Sequence, residues 1–226
     1  MKIASHQPNF IPWCGYFYKI AVSDAFVIAD DVDFTRKSYI NRNRIKTPSG
    51  SLWLTLPVKK APLGTPINEM EVIDRREIER LLAVIQSNYG RAPHFMPFFE
   101  KLEATMISAD SLLADINTGL IRLIMNELGI TTPVFMTSEI RGITGTSTDR
   151  IISICKAMNA DTYISGFGGQ KYQSAELMGE NGIDCQVYRF SHPEYRQLWG
   201  EFIPGMSVID LIFNCGPDAA SILRGR

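Results

Sequence analysis

The alternation of short apolar runs with helix-like segments is the feature that most limits what this chain can fold into. Apolar runs typical of buried strands occur at 25–31 (AFVIADD) and 161–166 (DTYISG). Other segments, such as 146–160, repeat apolar side chains at helical spacing. Strands separated by helices of about 10–15 residues favour an α/β fold, with a mostly parallel sheet and flanking helices.

The remaining pattern adds elements to this plan. It predicts further strands at 1–6, 51–58, 133–140 and 183–190, with a short one at 69–73, and helices from Gly15 and at 75–90, 95–106, 110–129, 169–182 and 207–216. The helices between about 75 and 129 would form a helical insertion or subdomain. We therefore predict a single domain over residues 1–226, with a helical subdomain at about 75–129.

Composition excludes several classes of protein. Hydrophobic residues make up 45% of 226, and 23 Lys and Arg balance 24 Asp and Glu to a net charge of −1. These values exclude collagen and a long coiled coil, and the neutral charge argues against bulk nucleic-acid binding. No signal-peptide pattern or run of about 20 apolar residues occurs. We expect a cytoplasmic protein that does not insert into membranes.

The cysteines do not form a metal-binding pattern. Cys14, Cys155, Cys185 and Cys215 are dispersed, and no two make a C-x-x-C pair. Free, buried thiols in a reducing compartment are the expected state. We predict no metal site, and Cys14 is a weak candidate nucleophile.

The first candidate site lies at the end of the first predicted strand. Ligands of open α/β sheets bind at the carboxyl ends of the strands, and His6, Gln7 and Asn9 lie at such an end. Histidine can act as acid or base near neutral pH. A catalytic His6 and a structural His6 both stay open.

Two adjacent carboxylates follow the second predicted strand. On an extended chain Asp30 and Asp31 would point to opposite faces, so a catalytic dyad is not expected. One of them could orient an amine or a ribose hydroxyl. The alternative is that they cap the loop or pair with arginines.

A basic stretch at 35–46 is the third candidate. On a strand, Asn41 and Asn43 would share one face, and Arg42 and Arg44 the other. Together with Lys37 and Lys46, the arginines suit a small phosphate or carboxylate ligand. A solvated charged loop is the alternative.

Two further segments could bind substrate. The glycine-rich turn of Ser165, Gly166, Gly168 and Gly169 precedes a predicted helix start, where backbone N–H groups could approach an anion. A tight turn that needs positive φ explains the glycines equally well. His192 follows the last predicted strand and is the other candidate.

At His6-Gln7-Pro8-Asn9, Pro12-Trp13-Cys14-Gly15-Tyr16, Asp30-Asp31 and Asn41–Lys46, the chain resembles the WbqC-like family. The resemblance resumes at Tyr163–Gly166, Tyr172 and the segment Phe202–Asn214. It implies a protein of a bacterial gene cluster for O-antigen (lipopolysaccharide) or another surface polysaccharide. A glycine (aminoacyl) transferase role has been suggested for one member of that family. The resemblance also makes Tyr16 and Tyr172 candidate substrate-binding residues.

A fainter resemblance concerns the fold. The chain is predicted to begin with a strand, the segment Phe10-x-Pro12-x-x-Gly15-Tyr16, a helix and a second strand. This order resembles the start of HIGH-motif nucleotidyltransferases, which bind ATP phosphates. This chain has Trp13-Cys14-Gly15-Tyr16 where that motif has its histidines. The resemblance makes ATP a candidate cofactor, and the missing histidines argue against adenylyl transfer.

Three functions follow as hypotheses. The first is a transferase that moves an acyl or glycyl group onto an amino-sugar, with His6 as base and an anionic sugar nucleotide or acyl donor as partner. The second is a nucleotidyltransferase-like or ATP-dependent activating enzyme. The third is a non-catalytic binding protein of a polysaccharide pathway.

Overall fold

The computed structural model describes residues 1–109, 111–166, 168–169 and 173–225. In chain order the elements are β1 (Lys2–His6), α1 (Cys14–Ala21), β2 (Ala25–Ile28), β3 (Arg42–Thr47), β4 (Gly50–Thr55), α2 (Arg75–Tyr89), α3 (Phe95–Ser108), α4 (Leu113–Glu127), β5 (Val134–Met136), α5 (Ser147–Ala157), β6 (Thr162–Gly166), α6 (Ala175–Glu180), β7 (Asp184–Tyr188), α7 (Val208–Cys215) and α8 (Ala219–Leu223). No helix in these ranges is long and apolar enough to cross a membrane.

The chain divides into two compact units, each assembled from separate stretches of sequence. The first contains Met1–Gln7, Tyr18–Asp31 and Thr131–Ser191, and the second contains Pro8–Phe17, Val32–Ile130 and His192–Arg226. The helices α2, α3 and α4 lie in the second unit. A single domain with a helical subdomain stays a prediction.

The first unit is built on a parallel sheet. Its described strands have the order β5-β2-β1-β6-β7, and each neighbouring pair is parallel. Ile3, Val27 and Tyr163 are buried on this sheet and pack with Ile151 and Ile154 of α5. This parallel sheet with a helix packed on it confirms the predicted α/β fold class. The class was predictable because strands buried on both faces are nearly continuous apolar runs.

The second unit combines an antiparallel hairpin with helices. Strands β3 and β4 pair from Arg42↔Thr55 to Thr47↔Gly50. Phe213 of α7 contacts the rings of Tyr89, Phe95 and Phe98, with centroids 5.0–5.6 Å apart. These contacts join α2, α3 and α7 in one aromatic cluster.

Several predicted boundaries were wrong. The expected strand at 133–140 ends at Met136, because a 3₁₀ turn at Thr137–Glu139 follows it. At 69–73 there are isolated bridges instead of a strand. The expected helix at 169–182 covers only Ala175–Glu180, since the Ser174 side chain caps it by accepting from the Leu177 N–H.

Candidate functional site

The strand order places a topological switch point between β1 and β6. From β1 the chain adds β2 and β5 on one side, whereas β6 and β7 lie on the other. In such sheets, ligands bind outside the carboxyl ends of the strands at the switch. His6 ends β1 and Ser165 lies near the end of β6. We call His6, Lys19, Asp31, Arg150 and Ser165 the sheet-edge site.

His6 is half-buried at this edge. Its Nδ1 donates to the Gln7 carbonyl at 3.1 Å, so the lone pair of the neutral ring is on Nε2. Burial and then the charge of Lys19 lower the pKa of His6 from 6.5 to about 4, against the Gln7 hydrogen bond, which raises it. The imidazole is therefore neutral at pH 7.

Lys19 of α1 supplies a buried cation beside His6. Its side chain is only 6% exposed, and Nζ donates to the Ser5 carbonyl at 2.8 Å and lies 5.8 Å from the centre of the Tyr163 ring. No carboxylate in the described part of the chain lies within 4.0 Å of Nζ. Burial lowers the pKa of Lys19 from 10.5 to about 8. Most Lys19 side chains stay charged at pH 7, without an acidic partner.

The two aspartates meet at one hydroxyl group. The Thr137 Oγ lies 3.0 Å from Asp30 Oδ1 and 2.5 Å from Asp31 Oδ1. The expectation that these carboxylates point apart was wrong, because β2 ends at Ile28 and the chain bends at Asp31.

Asp30 and Asp31 nevertheless have different surroundings. Asp30 is 3% exposed and accepts from the Ser138 N–H at 3.0 Å and the Ser138 hydroxyl at 2.5 Å, which fastens the turn after β5. Asp31 is half-buried and pairs with Arg150 of α5. Burial raises the pKa of Asp31, but hydrogen bonds from Thr137 and Arg150 and the Arg150 charge outweigh it, so this pKa lies below 3.8.

The glycine-rich turn differs from its sequence-based interpretation. Gly166, Gly168 and Gly169 are not among the residues with positive φ. The next described α-helix, α6, starts only at Ala175. Instead, Ser165 lies 2.5 Å from Gln173 Oε1, and a Cβ at Gly169 would come within 2.9 Å of both side chains. Tyr172 lies outside the described residues.

The predicted asparagines and Tyr16 are held inside the second unit. The Asn43 amide donates to the Ile11 carbonyl at 2.8 Å, and the Asn41 amide donates to the Leu56 carbonyl at 3.0 Å. Asn9 is 4% exposed, and burial raises the pKa of Tyr16 above its usual value. Gln7, in contrast, is half-buried in the first unit beside His6.

The predicted cations also belong to the second unit. The Arg42 and Arg44 guanidinium groups lie 4.3 and 5.8 Å from the centre of the Trp53 ring. Lys46 is 1% exposed, and its Nζ donates to the Glu201 carbonyl. Lys37 is exposed, and its carbonyl accepts from Arg42. Their role in phosphate binding stays a prediction.

His192 and Cys14 have packed surroundings. The His192 ring stacks on Tyr195 and is tilted against Phe202, its Nδ1 contacts the Pro193 carbonyl at 3.0 Å, and burial lowers its pKa. Burial raises the pKa of the Cys14 thiol, which opposes a nucleophilic thiolate. Across the described residues, no three His, Cys, Asp or Glu side chains are grouped to hold a metal ion.

Sequence reasoning missed Lys19, Thr137 and Arg150. A signal existed for Lys19, which is the only Asp, Glu, Lys or Arg residue between Lys2 and Asp24. A lone charge within an apolar helical segment must be exposed or find a special environment. Thr137 and Arg150 carry no comparable signal, because only the fold brings them to Asp31.

Comparisons with known proteins agree with the early resemblance. The model of the WbqC-like protein family matches residues 7–222. The uncharacterized protein Rv1507c of Mycobacterium tuberculosis (strain ATCC 25618 / H37Rv) is 33% identical to this chain over 226 residues, which cover 99% of this chain and 97% of the relative. No solved structure matches the chain significantly.

Proposed function

Because the chain belongs to the WbqC-like protein family, we propose that it is a transferase of bacterial surface-polysaccharide biosynthesis. The enzyme would move an acyl or aminoacyl group, such as glycyl, onto the amine of a nucleotide-linked amino-sugar. Family membership supports the polysaccharide pathway, and the sheet-edge site supports the class of reaction.

The observation that carries the proposal is the buried charge of Lys19. An ammonium group that is 6% exposed and has no carboxylate within 4.0 Å among the described residues favours a bound anion. A phosphate or a carboxylate at the switch point would supply the missing negative charge. This fits an anionic acyl donor or a sugar nucleotide.

His6 is the proposed base of the transfer. The sugar amine attacks the carbonyl carbon of the donor, the new C–N bond forms, and the bond from that carbon to the leaving group breaks. The amine proton passes to Nε2 of His6 and then to the leaving group. A bound anion would offset the Lys19 charge and raise the pKa of His6, so the imidazole becomes a stronger base when substrate is present.

The aspartates take different proposed roles. Asp31 keeps its charge at neutral pH and is half-buried, so it could orient the attacking amine. Asp30 already accepts hydrogen bonds on both carboxylate oxygens from Ser138 and holds the turn after β5. We therefore assign Asp30 a positioning role.

An amide-forming assay tests this function. The purified protein is incubated with UDP-linked amino-sugars and, in parallel, with either an activated glycyl thioester or glycine and ATP, and the amide product is followed by mass spectrometry. We expect His6→Gln to lower kcat at least about 100-fold, the scale of general base catalysis, and Lys19→Met to raise KM. His94→Gln, a change of a half-buried histidine in the second unit, is the matched control. If His6→Gln turns over within threefold of the unchanged protein, His6 is not the base.

An ATP-dependent activating enzyme is the second candidate. The parallel β1–α1–β2 order favours it, because this is the order that resembles the HIGH-motif enzymes. Pyrophosphate release that requires ATP and glycine, but no amino-sugar, would support this candidate over direct transfer. A melting temperature that ATP does not change would exclude it.

A further inference from the structure

The second unit contains a cavity of about 760 Å³ that the proposed transfer does not use. Two loops line it, Asp33–Lys37 and Pro57–Gly64, together with Asn41 and Met70. We call it the loop cavity. Its volume falls within the range of small-molecule sites, and we propose that it binds a nucleoside diphosphate.

The charge of the walls favours a phosphorylated ligand. The loop cavity is lined by Arg36, Lys37, Lys59 and Lys60, against the single carboxylate of Asp33. Lys59 is paired with Glu71. The other three cations form no ion pair within 4.0 Å in the ranges that the structure describes. These cations could bind the phosphate oxygens.

Asn41 lines the loop cavity and carries a buried acceptor without a donor among the described residues. Its side chain is 7% exposed, and its amide nitrogen donates to the Leu56 carbonyl, which fixes the orientation of the amide. The Oδ1 atom is buried and has no donor among the described residues. A buried acceptor without a partner is unfavourable. A ligand N–H or O–H group that reached Asn41 would relieve this penalty, and nucleosides carry both kinds of donor.

The loop cavity also has apolar walls. Phe34, Val58 and Met70 line it, and Leu63 at the tip of the second loop is 99% exposed. Inorganic phosphate could not use these side chains. A base or ribose could pack against them while the phosphates contact the cations, which favours a nucleotide.

Both loops are anchored at their bases. The Phe34 N–H donates to the Thr65 carbonyl at 2.9 Å, and the Lys59 N–H donates to the Glu71 carbonyl at 2.8 Å. Arg42 also donates to the carbonyl of Lys37, which has a φ of 59°. The walls are thus largely formed before a ligand binds, which lowers the entropy lost on binding.

Isothermal titration calorimetry of the full chain with UDP and ADP tests the proposal. We expect the double variant Arg36→Ala/Lys60→Ala to weaken binding about 10- to 100-fold, the effect of losing hydrogen bonds to a charged group. Leu63→Ser should weaken binding of UDP or ADP several-fold and leave that of pyrophosphate unchanged. Arg91→Ala, at an exposed arginine outside the loop cavity, is the control.

Three outcomes would overturn the inference. These are the absence of UDP and ADP binding, equal affinity in the unchanged protein and the double variant, and tighter binding of a single-stranded oligonucleotide through the same residues. The inference does not depend on acyl transfer. His6→Gln leaves the loop cavity intact, so its loss of turnover with unchanged UDP affinity separates the two proposals.

Discussion

At the scale of single residues, Lys19 is the clearest conflict between stability and function. The residue is 6% exposed, and its ammonium group donates to the Ser5 carbonyl at 2.8 Å. Burying an ammonium group without a carboxylate lowers stability. Residues that destabilise a fold without a structural benefit often serve binding or catalysis. Lys19 therefore marks the sheet-edge site more strongly than His6 does.

Replacing Lys19 by Met should stabilise the protein at pH 7. The pKa falls from 10.5 to about 8 on folding, which costs roughly 3 kcal/mol below pH 8. Loss of the hydrogen bond from the charged ammonium to the Ser5 carbonyl offsets about 2 kcal/mol of this gain. We expect urea unfolding to show a net gain of about 1 kcal/mol.

The gain should shrink as pH rises from 8 towards 10.5. In that window the unfolded chain binds more protons than the folded chain, so raising the pH stabilises the unchanged protein but not Lys19→Met. Lys156→Met, at an exposed lysine of α5, should show neither effect. Equal stability of Lys19→Met and the unchanged protein at pH 7 would contradict this account.

At the scale of elements, one buried network ties α2 to α7. Tyr89 at the end of α2 donates to Asp210 of α7 at 2.8 Å and accepts from the Lys46 N–H of β3 at 2.9 Å. Tyr195 donates to the other oxygen of Asp210 at 2.9 Å. Burial raises the pKa of Asp210 in spite of these hydrogen bonds. The hydroxyl groups of Tyr89 and Tyr195 thus stabilise the buried Asp210 carboxylate, one on each oxygen.

Tyr89→Phe should lower the free energy of unfolding by about 2–4 kcal/mol. The change leaves the Lys46 N–H without an acceptor and removes one donor from Asp210, and each unsatisfied buried group costs about 1–3 kcal/mol. Urea unfolding measures the loss. Tyr39→Phe, at a side chain that is 43% exposed, is the control and should change stability little. A loss below 1 kcal/mol for Tyr89→Phe would mean that the network is not structural.

The turn after β6 offers a second prediction about an element. A Cβ at Gly169 would lie 2.9 Å from Ser165 Oγ and Gln173 Nε2, whereas one at Gly168 would meet nothing within 4 Å. We expect Gly169→Ala to lower the melting temperature by a few degrees, on the order of 1 kcal/mol, and Gly168→Ala to leave it unchanged. Differential scanning calorimetry compares the two. Equal melting temperatures would show that the Ser165–Gln173 contact can move aside.

At the scale of the whole molecule, the parallel sheet was predictable and the division of the chain was not. The runs at 25–31 and 161–166 became β2 and β6, because central strands of a parallel sheet are rich in apolar residues. The stretches Pro8–Phe17 and His192–Arg226 group with the middle of the chain in the second unit. That grouping depends on long-range contacts, which no local pattern encodes.

The same contrast applies to the candidate site. By itself, the sequence determined the fold class, the family and the placement of His6 after a strand, because periodicity and motifs are local properties. Only the tertiary structure decided that Lys19 is buried beside His6 and that Asp30 and Asp31 meet at Thr137. Charge and hydrogen bonding at the site depend on side chains from helices, strands and turns far apart in sequence, and only folding brings these elements together.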